Sequence, residues 1–164
     1  MQKATLVFLI RGYPPQEVLL GFKRAGFGVG KYTGFGGKVE TDETVERAAL
    51  RELEEEIGVK ALPEGLWPMG SLAFLFPAKP AWSQIVYVFL ADRWTGDPVE
   101  SGEMRPVWFG VDELPFEQMW QDAPHWLPRV LAGERIVARF MFGEDNESIE
   151  EVEVRGWDRD SESV

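Results

Sequence analysis

Short runs of apolar and β-branched residues, each ended by a turn, recur along the chain and predict β-strands. The first run covers residues 5–10 and ends at a segment with Gly12, Pro14 and Pro15, which stops a buried strand. Further strands are predicted over residues 18–22, 70–76, 84–91 and 106–109, and a closing hairpin over 135–142 and 149–154 with its turn at 143–146. The pattern therefore favours a protein with a substantial β-sheet.

Two segments instead have helical spacing. Residues 44–57 contain no Gly or Pro, are rich in Glu, Ala, Leu and Arg, and are followed by Gly58, a common helix stop. A second, shorter helix is predicted over residues 124–131. Strands and helices do not alternate strictly, so we expect an α+β fold, an α/β/α sandwich with a central mixed β-sheet. The length of 164 residues predicts one domain, here 1–156, followed by a polar tail at 157–164.

Residues 26–37 have a different character because half of them are glycine. That density excludes regular structure and allows backbone to approach a ligand closely. We interpret this segment as a functional loop placed directly before the first helix.

Composition narrows the classes of partner. The net charge of −11 repels duplex nucleic acid and anionic membranes, and a phosphate ligand would need a cation to accompany it. There is no cysteine and a single histidine, His125, which excludes disulfides, thiolate metal sites and a multi-histidine zinc site. No segment is typical of a targeting signal or membrane anchor, so a cytoplasmic protein, most simply a monomer, is expected.

The first predicted helix places acidic residues together. At about 100° per residue, Glu52, Glu55 and Glu56 share one face, and the apolar side chains lie on the other. Arg51 lies one turn before Glu55 and can pair with it. A Glu-rich helix face is commonly just a solvated surface. The alternative is a hard divalent cation such as Mg²⁺, which prefers carboxylate oxygens and often completes its shell with substrate phosphate.

The residues around this helix favour the second interpretation. Gly37, Glu43 and the run Arg51–Val59 fill the fixed positions of the Nudix box, and the chain resembles the Nudix hydrolases, which act on nucleoside diphosphates linked to another group. Flanking residues resemble the MutT-homologue branch, which hydrolyses oxidised purine nucleoside triphosphates such as 8-oxo-dGTP. They are Lys23, Phe27, 34–39, 98–101, 103–106, Trp108, Phe109, Pro115, Phe116, Met119 and Trp120. The resemblance implies a Nudix fold and release of nucleoside monophosphate and pyrophosphate.

The resemblance also implies roles for individual residues. Mg²⁺, or Mn²⁺ in its place, would be held by the Gly36 carbonyl and by Glu52, Glu55, Glu56 and Glu103. The catalytic carboxylates would be Glu52, Glu55 and Glu56, with Glu56 as central ligand and Glu52 or Glu55 as ligand or base, while Arg51 forms a structural ion pair. Lys23 and Lys38 would contact phosphate. The remaining substrate-binding positions are Thr5, Phe27, Thr33, Phe35, Gly36, Gly37, Phe74, Phe76, Trp120, Gln121, Asp122 and Ala123.

Two positions depart from the branch, which has Asn at the position of Thr33 and a second Asp at that of Ala123. Thr offers a single hydroxyl to a base edge and Ala offers no polar group. His125 is a candidate substitute partner. Two further hypotheses therefore stay open. One is a Nudix hydrolase of another nucleotide, such as an ordinary triphosphate, a dinucleoside polyphosphate or ADP-ribose. The other is a non-catalytic nucleotide- or RNA-binding module.

Overall fold

In the computed structural model, which describes residues 1–157, the chain forms ten β-strands and two α-helices. The strands are β1 (Gln2–Arg11), β2 (Glu17–Lys23), β3 (Tyr32–Thr33), β4 (Lys60–Ala61), β5 (Leu66–Leu75), β6 (Gln84–Ala91), β7 (Trp94–Thr95), β8 (Met104–Gly110), β9 (Ile136–Phe142) and β10 (Ile149–Gly156). The helices are α1 (Val45–Ile57) and α2 (Ala123–Leu131). All the strands and both helices expected from the sequence are present, with boundaries shifted by a few residues.

The main sheet is mixed, as predicted. Its strand order is β10-β9-β5-β6-β1-β2-β3, and β8 also pairs with β2. The β1–β6 and β5–β9 pairs are parallel and the others are antiparallel. The ladder between β1 and β2 is short, joining Ile10 to Val18 and Arg11 to Glu17. Most of the β1 edge that faces away from β6 is therefore left for another segment to pair with.

The two helices cover opposite faces of this sheet. Alternate residues of β1 separate the two layers: Val7 and Leu9 pack with α1, and Phe8 packs with α2. The α1 layer also contains Leu19, Phe35, Leu53, Ile57 and Phe89. The α2 layer also contains Leu20, Leu72, Trp126, Leu127 and Phe140. The predicted α+β sandwich with helices on both sides is confirmed.

The free edge of β1 is occupied by the end of the glycine-rich segment. The Thr5 N–H donates to the Gly37 carbonyl at 2.9 Å, and Val7 and Phe35 exchange backbone hydrogen bonds at 2.6 and 2.9 Å. A Cβ atom on Gly36 would lie 1.8 Å from the Thr5 carbonyl oxygen, so only glycine fits there. The expectation that residues 26–37 hold no regular structure is therefore wrong in part, because this segment contains β3, which pairs with β2, and then runs along β1 as extended backbone over 35–38 before α1.

Local pattern missed the smallest elements. The β4–β7 pair consists of two-residue strands, too short to show any periodicity. The β10 strand runs past residue 154 to Gly156, and the Trp157 N–H donates to the Arg135 carbonyl at 2.9 Å. The rest of the expected polar tail, 158–164, lies outside the described residues. None of the helices in the described part of the chain is long and apolar enough to cross a membrane.

Candidate functional site

Helix α1 begins and ends where its sequence indicates. The Thr44 hydroxyl accepts a hydrogen bond from the Arg47 N–H at 3.1 Å, and Gly58 ends the helix with φ of 71°. Its acidic face is not uniform, in contrast to the simple helical projection. Glu55 is exposed, but Glu56 is only 7% exposed and forms a hydrogen bond with the backbone of Gly36 in the glycine-rich strip beside β1. Helix α1 therefore presents one buried carboxylate next to more exposed ones.

Arg51 joins the two ends of the Nudix-like segment. Its guanidinium donates to both carboxylate oxygens of Glu43, at 2.7 and 3.0 Å, and to the Lys38 carbonyl at 3.1 Å. It also contacts Glu52 at 3.0 Å and Glu55 at 3.3 Å. The structure thus contains the expected pair with Glu55, but Glu43 is the nearer and bidentate partner. One cation fixes the strip before α1 and orients two carboxylates on it.

The Arg51–Glu43 pair makes stability depend on pH. Hydrogen bonding to Arg51 lowers the pKa of Glu43 from its ordinary 4.5 to about 2. Because the folded pKa lies below the unfolded one, this stabilisation is present above pH 4.5 and is lost as the pH falls toward 2. Urea denaturation at pH 7, 5, 4 and 3 should show Glu43→Gln less stable than the wild type at pH 7, with a difference that shrinks below pH 4.5. The exposed Glu117→Gln is the control, and a difference constant over this range would contradict the prediction.

Glu56 is the most unusual ionisable group of the site. Burial, followed by the neighbouring charges of Glu52 and Glu103, raises its pKa to about 8. The backbone of Gly36 forms a hydrogen bond to this carboxyl, and its Oε2 atom is buried without a hydrogen-bond partner. Lys23, which forms an ion pair with Glu103, provides a partly compensating positive charge. Such an unpaired buried carboxyl is costly for a fold and is typical of functional sites.

The predicted metal ligands belong to one neighbourhood without forming a ready-made cage. Across residues 1–157, no three acidic or histidine side chains are close enough to hold a metal ion. Arg51 holds Glu52 and Glu55, while Lys23 holds Glu103. The donor chemistry nevertheless fits a hard cation, since all donors are oxygens and Glu56 Oε2 is unpartnered. A divalent ion would compete with two protein cations for these carboxylates.

A cavity of about 570 Å³ opens beside Glu56. Most of the predicted substrate-binding residues line it: Thr5, Lys23, Phe27, Thr33, Gly36, Gly37, Lys38, Phe74, Phe76, Trp120, Asp122 and Ala123. Phe35 and Gln121 do not. Phe35 is fully buried in the α1 layer, because its backbone pairs with Val7 and its side chain points to that face, and Gln121 is exposed. Their predicted contact with substrate therefore has no support from the geometry.

Aromatic rings form much of the cavity wall. Phe27 stacks on Trp120, with ring centres 5.2 Å apart, and meets Trp82 edge-on. Phe76 stacks on Phe142 at 4.4 Å, deeper in the cavity. Phe27 is 77% exposed and follows Gly26 in a turn, so its ring lies at the rim. These flat surfaces suit a purine, which gains about 1–3 kcal/mol from stacking on one ring.

Polar groups in the same wall are few. Asp122 is buried and accepts a hydrogen bond from Trp126 Nε1 at 2.8 Å, and its burial raises the pKa of the carboxyl. A carboxyl of this kind can stay protonated and donate a hydrogen bond to a nucleobase. The Thr5 hydroxyl is buried and has no partner. His125, considered as a substitute partner, is exposed and does not line the cavity.

Sequence reasoning missed several residues of the cavity. They include Tyr32, Trp82, Gln84, Met119, Trp126, Phe142 and the turn residues Asp145, Asn146 and Glu147. Trp82 ends a short helical turn and Gln84 begins β6. The break in the hydrophobic pattern before this strand is the one local signal that could have indicated residues at the edge of a cavity. The turn itself is predicted from the sequence, but nothing local indicates that it lines the cavity, which it reaches through the parallel pairing of β9 with β5.

The Trp120 ring should carry a measurable part of substrate binding. Removing one stacking surface costs about 1–3 kcal/mol, so Trp120→Ala should raise KM about tenfold or more with a smaller change in kcat. Steady-state kinetics on a purine triphosphate provide the measurement. Trp67→Ala, at a half-exposed Trp outside the cavity, is the matched control. An unchanged KM for Trp120→Ala would remove this ring from the binding surface.

Comparison with known proteins agrees with this geometry. The family model of the NUDIX domain matches residues 2–130. An oxidized purine nucleoside triphosphate hydrolase of Danio rerio is 46% identical over 138 residues, covering 84% of this chain and 85% of the relative. One of Mus musculus is 41% identical over 149 residues, covering 91% and 93%. A crystal structure of a MutT protein from Bacillus halodurans has a TM-score of 0.76 at 19% identity, covering 94% of this chain and 97% of that one, and shares the fold. The chain belongs to the NUDIX domain family, as the motif over residues 37–59 predicts.

Proposed function

We propose that this protein hydrolyses oxidised purine nucleoside triphosphates of the 8-oxo-dGTP type to nucleoside monophosphate and pyrophosphate, and so removes damaged nucleotides before they enter DNA. One observation carries the proposal: a single cavity is lined both by stacking rings and by the buried carboxyl of Glu56. A base held among Phe27, Trp120 and Phe76 would extend its phosphates toward α1. The relatives named for this activity, at 41–46% identity, support the same substrate class.

The phosphate end of the site combines acids with a few cations. Nudix hydrolases generally need a divalent metal, and we propose Mg²⁺, with Mn²⁺ as a substitute. Glu52, Glu55, Glu56, Glu103 and the Gly36 carbonyl would hold it. When bound, the cation neutralises phosphate charge and acidifies a coordinated water. Lys23 and Lys38 line the cavity and can contact phosphate oxygens once a cation takes over the carboxylates.

Proton transfer falls to the carboxylates on α1. Water attacks the α- or the β-phosphorus, the P–O bond that bridges these two atoms breaks to leave nucleoside monophosphate and pyrophosphate, and the proton of the water passes to a carboxylate. Glu52 and Glu55 are the candidate bases, and both contact Arg51, which positions them. Burial is the largest cause that raises the pKa of Glu52. A raised pKa brings a carboxylate closer to the range in which it accepts a proton effectively.

A substrate panel tests the proposal directly. The enzyme should release pyrophosphate from 8-oxo-dGTP in the presence of Mg²⁺, with a higher kcat/KM than for dGTP, and should stop when EDTA removes the metal. No Mg²⁺-dependent pyrophosphate from any purine triphosphate would overturn the proposal, and a lack of hydrolysis of any other nucleoside diphosphate derivative as well would favour a binding module. Gln84 and the buried Asp122 line the cavity in either case, so binding alone does not distinguish these outcomes.

A second candidate is a Nudix hydrolase for another nucleoside diphosphate derivative. Thr33 and Ala123 favour it, because each offers fewer polar contacts to a modified base than the Asn and Asp of the related branch. The same panel, extended to ordinary triphosphates, a dinucleoside polyphosphate and ADP-ribose, decides between the two. A higher kcat/KM for one of these than for 8-oxo-dGTP would establish the second candidate.

The oligomeric state, cellular location and partners of the enzyme also stay predictions. We propose a monomer that acts in the cytoplasm on small nucleotides, without binding duplex nucleic acid or a membrane. The net charge of −11 supports the exclusion of polyanionic partners. Size-exclusion chromatography with light scattering tests the monomer, and a mass of two chains would contradict it.

A further inference from the structure

Unpartnered buried oxygens in the described part of the chain converge on one cavity. Among residues 1–157, three side-chain oxygens are buried without a hydrogen-bond partner: Thr5 Oγ1, Glu56 Oε2 and Asn146 Oδ1. All three residues line the same 570 Å³ space. Native proteins seldom bury a polar atom without a partner unless a ligand supplies one. Glu56 belongs to the phosphate end and Thr5 was expected at the base. Asn146 has no role in the site described so far.

Asn146 lies in a turn that does not need its side chain. In the β9–β10 hairpin, Asp145 accepts hydrogen bonds from the N–H groups of Glu147 and Ser148, at 2.9 and 2.8 Å, and from the Ser148 hydroxyl at 2.5 Å. The Asn146 backbone has φ of 56°, a left-handed conformation that Asn tolerates, and its N–H donates to the Gly143 carbonyl. The backbone and Asp145 therefore hold the turn, and the Asn146 amide is left for another partner.

The sheet brings this amide to the base end of the cavity. The β9 strand lies parallel to β5 and pairs Phe140 with Phe74. The rings of Phe142 and Phe76 stack just before the turn. Asn146 therefore lines the aromatic part of the cavity. Thr33 and Ala123, the two positions that offer few polar contacts to a base, line the same cavity from other segments of the chain. An amide offers both a donor and an acceptor and can turn to present either.

We propose that Asn146 is a specificity-determining residue whose side-chain amide hydrogen-bonds the edge of the bound nucleobase. An 8-oxo-purine presents a neighbouring N7–H donor and O8 acceptor, which match the oxygen and nitrogen of one amide. At positions 7 and 8, unmodified guanine presents the N7 acceptor and a C8–H group, so it can form one of the two bonds. The inference rests on the proposed function, and it assigns the recognition of the oxidised edge to the hairpin.

The test compares kcat/KM for 8-oxo-dGTP and dGTP. Asn146→Gly removes the amide and keeps a residue suited to positive φ, and Asn146→Asp keeps the size but cannot donate when ionised. Asn146→Gly should lower kcat/KM about tenfold for 8-oxo-dGTP, which loses two hydrogen bonds, and about threefold for dGTP, which loses one. Asn146→Asp removes only the donor, which both nucleotides use, so it should lower both kcat/KM values and change their ratio little. The exposed Glu144→Ala, in the same turn but outside the cavity, is the control.

The outcomes separate this inference from the proposed function. If the wild type hydrolyses 8-oxo-dGTP but Asn146→Gly keeps the wild-type ratio of the two kcat/KM values, the inference is overturned and the function stands. If Glu144→Ala shifts that ratio equally, the turn acts only through its structure and the inference also fails. If the wild type releases no pyrophosphate from either nucleotide, the proposed function fails. Thermal melting of each variant shows whether the hairpin is still folded.

Discussion

Glu56→Gln should lower kcat for nucleotide hydrolysis at least about 10²-fold, the scale expected for losing an acid, base or electrostatic element of a site. The glutamine amide has nearly the same size as the carboxyl and can keep the hydrogen bond to the Gly36 backbone by offering its oxygen. It cannot carry the negative charge that a cation needs. The substitution therefore removes the ionisable group from a position that is 7% exposed and leaves the packing of the side chain in place.

Two measurements separate this expectation from a folding defect. Steady-state rates at saturating Mg²⁺ give the loss of kcat, and thermal melting with and without Mg²⁺ reports on fold and metal together. The wild type should melt at a higher temperature with Mg²⁺, and Glu56→Gln should melt normally without Mg²⁺ and gain less from it. Glu54→Gln, at an exposed acid of the same helix, is the control and should keep wild-type activity. An unchanged rate in Glu56→Gln would move the site elsewhere.

Much of the fold could be predicted because local signals were strong and agreed with one another. Thr44 and Gly58 mark the ends of α1 by capping chemistry that does not depend on the rest of the protein. The continuous apolar run that contains Val7, Phe8 and Leu9 already indicates a strand with both faces buried, and the two helices are available to cover them. Long, periodic segments of this kind carry their own structural information.

The sequence indicates which residues form the candidate site more readily than how they are arranged. The motif gives Glu52, Glu55 and Glu56 as one group, but only the strip on the β1 edge decides that Glu56 is buried and Glu55 exposed. Phe27 and Phe35 look alike in a glycine-rich sequence. Backbone pairing with Val7 sends Phe35 into the α1 layer, while Phe27 stays at the cavity rim.

Long-range pairing accounts for the residues that no local pattern indicated. The hairpin turn at 143–148 reaches the cavity because β9 pairs in parallel with β5, more than sixty residues earlier in the chain. The arginine at position 51 similarly finds its main partner eight residues away, in Glu43. Such contacts depend on the order of the strands in the sheet and on the path of the connections between them. The spacing of hydrophobic residues along the chain determines neither.

A substitution at Gly36, where the strip contacts β1, should lower stability and activity together, whereas Glu56→Gln should lower activity alone. Gly36→Ala would place a Cβ atom 1.8 Å from the Thr5 carbonyl oxygen, so the strip must leave the β1 edge. Overpacking against backbone costs about 1–3 kcal/mol, and we expect a loss of unfolding free energy near the upper end. Since the strip also carries the hydrogen bond to Glu56, activity should fall about 10²-fold as well.

Gly37→Ala is the variant to compare with Gly36→Ala, because the added Cβ atom meets a side chain instead of backbone. Its Cβ atom would lie 2.5 Å from Glu52 Oε1, the end of a flexible side chain, so the carboxylate can move while the backbone stays on β1. Urea denaturation should therefore show a clear loss of stability for Gly36→Ala and a smaller one for Gly37→Ala, although both lose activity. Gly156→Ala, with no atom within 4 Å of the added Cβ, controls for the substitution itself. Equal stabilities for the Gly36 and Gly37 variants would mean that the close approach to Thr5 does not constrain the strip, and another contact would then have to hold the proposed metal ligands in place.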